Sequence, residues 1–255
     1  MQKDELSYIK KHYANLTFQH FCNNTVEADS IVNLVDKAVS FDSPDFYCID
    51  NNICYVFEHF AFDGAEIKGG SQYRVKSNKV GKAIDKQVKT AFKNAPQDEI
   101  ATCGVISQGC DTTYTKENYR ANFQTAFNSH YAKLGQYKDK LIANNIITVQ
   151  TKIVNVFFIE DTTEFGGSHM IDGKRFLLVP YCFDFCVETV KSAPQVKYFV
   201  FANKSQKRWV IVNRNKYLKQ KDGNADFDKA QVWFFPTVQT LSAPIYIPQQ
   251  MINKK

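Results

Sequence analysis

An α/β fold is what this chain of 255 residues predicts. Three observations carry that expectation. Two segments with helical spacing open the chain, at 2–21 and 23–39. Two strand-like runs follow, at 45–50 and 53–62, apolar on both faces as strands are when a sheet is covered on both sides. A long helical stretch at 115–145 then gives way to a strand-rich elaboration from 146 onward.

Each element follows from its own residues. Leu6, Ile9, Tyr13 and Leu16 recur at steps of three and four, which predicts the first helix. In the second, Ile31, Leu34, Val35 and Ala38 line one face, and Asn24 or Thr25 is suited to cap it. "GKAIDKQVKTAF" at 81–92 reads as a basic amphipathic helix, and "EIATCGVIS" at 99–107 as a buried strand. Tyr119, Phe123, Phe127, His130, Leu134, Tyr137 and Leu141 make the apolar stripe of the long helix, where His130 reads as a satisfied core histidine. Downstream, "IITVQTKIVNVFFIEDTT" and "RFLLVPYCFDF" read as strands. "KYFVFANKSQKRWVIVNR" reads as a hairpin with its polar tip at 203–206, and the tail as extended. The expected organisation is 1–112 for the N-terminal helices and core, and 113–255 for the long helix and strand-rich region packed on the same domain.

Composition bounds the class. A hydrophobic content of 44% and an aromatic content of 14% belong to a folded globular chain. No run of about 18 apolar residues is present, and the first residues lack the apolar core of a secretory signal, so a cytoplasmic protein is expected. Seven cysteines without a CxxC pair read as buried thiols. A net charge of +6, with lysines clustered at 76–89, 203–208 and 213–221, is compatible with a polyanionic partner.

The chemistry centres on "PDFYCIDNNICYVFEHF", residues 44–60. Asn51-Asn52 suits a tight two-residue turn, because asparagine tolerates positive φ. Residues whose numbers sum to 103 then pair, so Asp45 faces Glu58 on the same side of the hairpin. Two facing carboxylates repel, and a divalent cation removes the conflict. Glu27, in the preceding helix, offers a third acid if that helix packs on the acidic face. Acids at strand ends also serve turns, so a purely structural reading of the three stands beside this one.

A helix bearing Glu27, "PD" at 44–45, "FEHF" at 57–60, a basic helix and a buried strand together resemble the core of the PD-(D/E)XK nuclease superfamily over about residues 24–107. The resemblance implies a restriction-endonuclease-like core: a helix, a β-meander, a second helix and a further strand. It implies Asp45 and Glu58 as metal ligands, with Glu27 matching the helix glutamate of many members, and magnesium or manganese as the cofactor. It also implies a lysine two residues after Glu58, where this chain has Phe60. Lys68, within the literal ExK of Glu66-Ile67-Lys68, and Lys82 and Lys86 of the basic helix are the candidates for that role. The implied function is a metal-dependent nuclease acting on DNA rather than RNA, in a housekeeping, mobile-element or defence setting. The alternative is a nuclease-fold protein without catalysis, serving as a nucleic-acid-binding or protein-interaction module, with a protein partner or a homodimer compatible with either.

One other acidic stretch stands out, "IEDTTEFGGSHMIDGKRF" at 159–176. Glu160, Asp161, Glu164, His169 and Asp172 surround a glycine pair there, as a second metal site, a substrate loop or a plain connection.

Overall fold

The computed structural model describes residues 5–13, 18–64, 99–109, 115–163, 168–171, 174–203, 208–220, 225–233 and 238–248. Two compact units divide the chain. One comprises Met1–Gly64 and Lys116–Phe234, the other Ala65–Thr115 and Phe235–Lys255. Both are discontinuous in sequence, so neither coincides with 1–112 or 113–255.

The first unit is α/β. Its first helix, α1 (Glu5–Tyr13), is followed by a short strand, β1 (Gln19–Phe21), where the sequence had predicted helix to residue 21. β1 pairs parallel with a strand late in the chain, β10 (Arg208–Asn213), so tertiary pairing overrides the local helical spacing. Helix α2 (Thr25–Lys37) is capped by Asn24, whose side chain accepts from the Glu27 amide. An antiparallel meander comes next: β2 (Val39–Ser40), β3 (Phe46–Asp50) and β4 (Ile53–Phe62). Asn51 and Asn52 take φ of 49° and 62°, and Asp50 pairs with Ile53, as the turn reading predicts.

The long helix predicted over 115–145 is two helices, α3 (Lys116–Tyr131) and α4 (Leu134–Ala143). Between them the amides of Lys133 and Gln136 bond three residues back, to His130 and Lys133, which tightens the chain and turns it. The chain then returns as β6 (Lys152–Asp161), parallel to β4. Parallel neighbours need such a crossover. Farther on, "PYCFDF", which reads as the end of a strand, instead forms a short 3₁₀ turn and the start of helix α5 (Asp184–Lys191). β9 (Val196–Asn203) and β10 make the predicted hairpin, and α6 (Arg214–Lys219) follows.

The resulting seven-stranded mixed sheet runs β1-β10-β9-β6-β4-β3-β2. Period-two alternation splits its residues between two cores. Val56, Phe60, Phe62, Phe157, Ile159 and Phe199 pack beneath α3, α4 and α5 on one face. Phe46, Cys48, Phe57, Val156, Phe158 and Trp209 pack beneath α1 and α2 on the other. A separate three-stranded sheet orders β11 (Gln231–Trp233), β7 (Ser168–Ile171) and β8 (Lys174–Leu177).

In the second unit, β5 (Glu99–Gly109) pairs antiparallel with β12 (Val238–Pro248), from Glu99 opposite Pro248 to Gly109 opposite Val238. This corrects the expected map of the core. The strand beside β4 is β6, not the run at 99–107. The basic helix expected at 81–92 lies outside the described residues.

Candidate active site

The hairpin keeps the register that its turn predicts as far as Phe46 opposite Phe57. Asp45 precedes Phe46, Glu58 follows Phe57, and the Glu58 charge acts on Asp45. The His59 amide donates to Asp45 Oδ2 at 2.6 Å and ties the start of β3 to β4. Glu58 is only 2% exposed, on the face covered by α3 and α4.

A buried carboxylate needs partners, and the turn between α3 and α4 provides them. His130 Nδ1 and the Tyr137 hydroxyl hydrogen-bond to the two Glu58 oxygens, and Lys133 Nζ lies 3.3 Å from Oε1. The three donors sit three and four residues apart, so they share one side of the helical segment. Burial works to raise the Glu58 pKa. The hydrogen bonds from His130 and Tyr137, with the charges of His130 and Lys133, outweigh it and hold the carboxyl below its ordinary value. Asp45 is pushed the other way, up to about 6, by burial first and by the Glu58 charge second.

Phe60 is 3% exposed and stacks on the His130 ring at 5.0 Å between centroids. The strand position two after Glu58 therefore belongs to the core. The cation near Glu58 is Lys133, which the sequence reading passed over. Lys68, Lys82 and Lys86 lie outside the described residues. His130 is satisfied, as expected of a core histidine, but its partner is the candidate acid itself.

Glu27 does not join the pair. Its Oε1 accepts from the Tyr198 hydroxyl at 2.8 Å and the Asn213 amide at 2.7 Å; its Oε2 accepts from Asn23 N at 2.8 Å and Asn23 Nδ2 at 2.9 Å. Tyr198 belongs to the core on the opposite face from the Glu58 donors. α2 packs against that other face, which is why its glutamate serves the helix N-terminus and β9–β10 instead.

The acidic stretch at 159–176 separates as well. Glu160 accepts from the Tyr8 and Tyr13 hydroxyls, both at 2.7 Å, and lies 3.4 Å from His59 Nε2; Glu5 Oε2 is 3.0 Å from His59 Nδ1. Asp161, on the other face, accepts from the Tyr119 hydroxyl at 2.8 Å and the Thr163 amide at 2.9 Å. Consecutive strand residues point to opposite faces, so Glu160 and Asp161 do not share a ligand. Glu164 and Asp172 lie outside the described residues.

No protein-family model matches the chain, and no curated protein or solved structure matches it either.

Among the described residues, no group of three or more His, Cys, Asp and Glu side chains is assembled to hold a metal ion. Magnesium in phosphoryl sites takes one or two carboxylates and fills its remaining positions with water and phosphate oxygens. Asp45 and Glu58 have that character. The Glu58 charge adds to burial in raising the Asp45 pKa, and a shared cation would relieve that part of it. Each carboxylate oxygen has two lone pairs, so the donors on Glu58 leave it capacity to bind further.

Proposed function

We propose that the chain is a metal-dependent nuclease that hydrolyses phosphodiester bonds in DNA. The observation that carries this reading is the gathering of Asp45, Glu58 and Lys133 at one end of the β3–β4 hairpin. The order α2, β2-β3-β4, α3–α4, β6 also supports it, because a helix, a meander, a second helix and a further strand is what a restriction-endonuclease-like core requires. In this reading the core spans residues 25–161, with 65–115 inserted between β4 and α3.

Asp45 and Glu58 are the residues that would hold magnesium or manganese, which supplies a polarised phosphoryl oxygen and a water of lowered pKa. Lys133 takes the role of the missing strand lysine. Its side chain is 47% exposed, and its ammonium, beside Glu58, would stabilise charge on the transferring phosphoryl group. His130 and Tyr137 keep Glu58 ionised and fix its orientation.

A second reading, a nucleic-acid- or protein-binding module without catalysis, is favoured by one observation. Glu58 already has three protein donors, with Phe60 packed where the motif lysine belongs. Incubation with plasmid and single-stranded DNA, in magnesium, manganese and EDTA, separates the two. Cleavage that needs metal and is lost in Asp45→Ala and Glu58→Ala supports the nuclease. Binding without cleavage in either metal selects the module.

A further inference from the structure

We propose that Lys140 and Ser43 form a phosphate-binding subsite, which seats the DNA strand along α4 beside the acid pair; this rests on the nuclease reading above. Lys133, Tyr137 and Lys140 stand at i, i+4 and i+7, so they line one face of the helical segment. Tyr137 at the centre points to Glu58, and Lys133 at one end does the same. At the other end Lys140 Nζ donates to the Ser43 hydroxyl at 2.9 Å. Ser43 is two residues before Asp45, a separation of at most about 7 Å along the chain.

One ammonium thus meets Glu58 and the other meets the segment that leads into Asp45. Lys133 and Lys140 are seven residues apart, about 10 Å along the helix at 1.5 Å per residue. Unlike Lys133, Lys191 and Lys229, which face carboxylates, Lys140 has a hydroxyl as its partner and makes no ion pair among the described residues. Exposed Asp42 adjoins Ser43 and exposed Asp139 adjoins Lys140, a helical step off the face. An ammonium joined to a hydroxyl forms a paired donor for a phosphate oxygen, stronger than a neutral contact because one donor is charged.

The test uses a fluorescein-labelled DNA oligonucleotide, single-stranded and duplex, with Kd measured by anisotropy across a salt series, and with cleavage in magnesium followed in parallel. Lys140→Gln is expected to raise Kd about tenfold at low salt, whatever the sequence, and to lower the salt slope by about one. Ser43→Ala weakens binding with the slope unchanged, and Lys140→Arg restores it. Lys138→Gln is the control, because Lys138 Nζ donates to the Val149 carbonyl instead. If wild type binds and cleaves but Lys140→Gln has an unaltered Kd and slope, the subsite is wrong and the nuclease reading stands. If wild type neither binds nor cleaves DNA, both are wrong.

Discussion

Lys133 reaches Glu58 from the turn between two helices, with its Nζ 3.3 Å from Oε1, while the strand position that would hold a motif lysine is filled by Phe60. A lysine in this place acts on the same carboxylate without occupying the sheet. Lys133→Met is therefore expected to lower the single-turnover cleavage rate about 100-fold, the scale of one lost electrostatic stabiliser. Glu58 keeps His130 and Tyr137, so the melting temperature should move by no more than about 3 °C, a cost of about 1 kcal/mol. An unchanged rate removes Lys133 from the chemistry.

Phe60 is expected to behave as core. It packs against Phe127, Phe157 and the His130 ring. Phe60→Ala should cost about 3–5 kcal/mol in denaturant unfolding. Phe60→Lys, which restores the motif on paper, should destabilise at least as much, because it buries an amine among aromatic rings, and should add no activity. A stable, faster Phe60→Lys variant would show the position to be catalytic.

Asp45 should weaken the fold at neutral pH. Its folded pKa, about 6, lies above the ordinary 3.8, so the folded form binds the proton more tightly than the unfolded chain. The penalty is absent below pH 3.8, grows as pH rises through 6, and is complete above it. Asp45→Asn, which keeps an acceptor for the His59 amide, should stabilise at pH 7.5 by about 1–2 kcal/mol after allowance for its partial exposure, with no gain at pH 3.5. Equal unfolding free energies at pH 7.5 would contradict the acid-pair conflict.

His59 should give the opposite dependence at higher pH. Burial lowers its pKa, but the close carboxylates of Glu160 and Glu5 outweigh that and set it at about 9, above the ordinary 6.5. Its stabilisation is complete below pH 6.5 and is lost as pH rises through 9. Glu5 is on α1, so the loss should appear as faster amide exchange in that helix. The His59→Gln variant should show little change in α1 exchange protection, beyond intrinsic rates, between pH 6.5 and 9.5. A slope equal to that of wild type would place the titration elsewhere.

The hairpin register was legible because it depends on local chemistry: Asn51 and Asn52 reach positive φ, and period two does the rest. The apolar character of both β4 faces likewise told of a covered sheet. Glu27 was not legible in the same way. Helical spacing shows which side of α2 is apolar but not which sheet face it meets, and it meets the one away from Glu58. Nor did the apolar run at 99–107 state its partner, β12, which lies more than a hundred residues on. Lys133 had a signal that went unused: His130 and Tyr137 are polar-tipped residues within the stripe that faces the core, and Lys133 lies at its exposed edge, three residues after one and four before the other. Buried donors in such a stripe imply a buried acceptor, and Glu58 was already at hand.

If Asp45 and Glu58 act together on DNA, single-turnover cleavage of labelled DNA in magnesium by wild type, Asp45→Asn and Glu58→Gln shows it most directly. Both variants keep the shape of the site. The account predicts EDTA-sensitive cleavage by wild type and a loss of at least about 100-fold in each variant. Cleavage at the wild-type rate by either variant, or DNA binding by wild type without cleavage in magnesium or manganese, would contradict it.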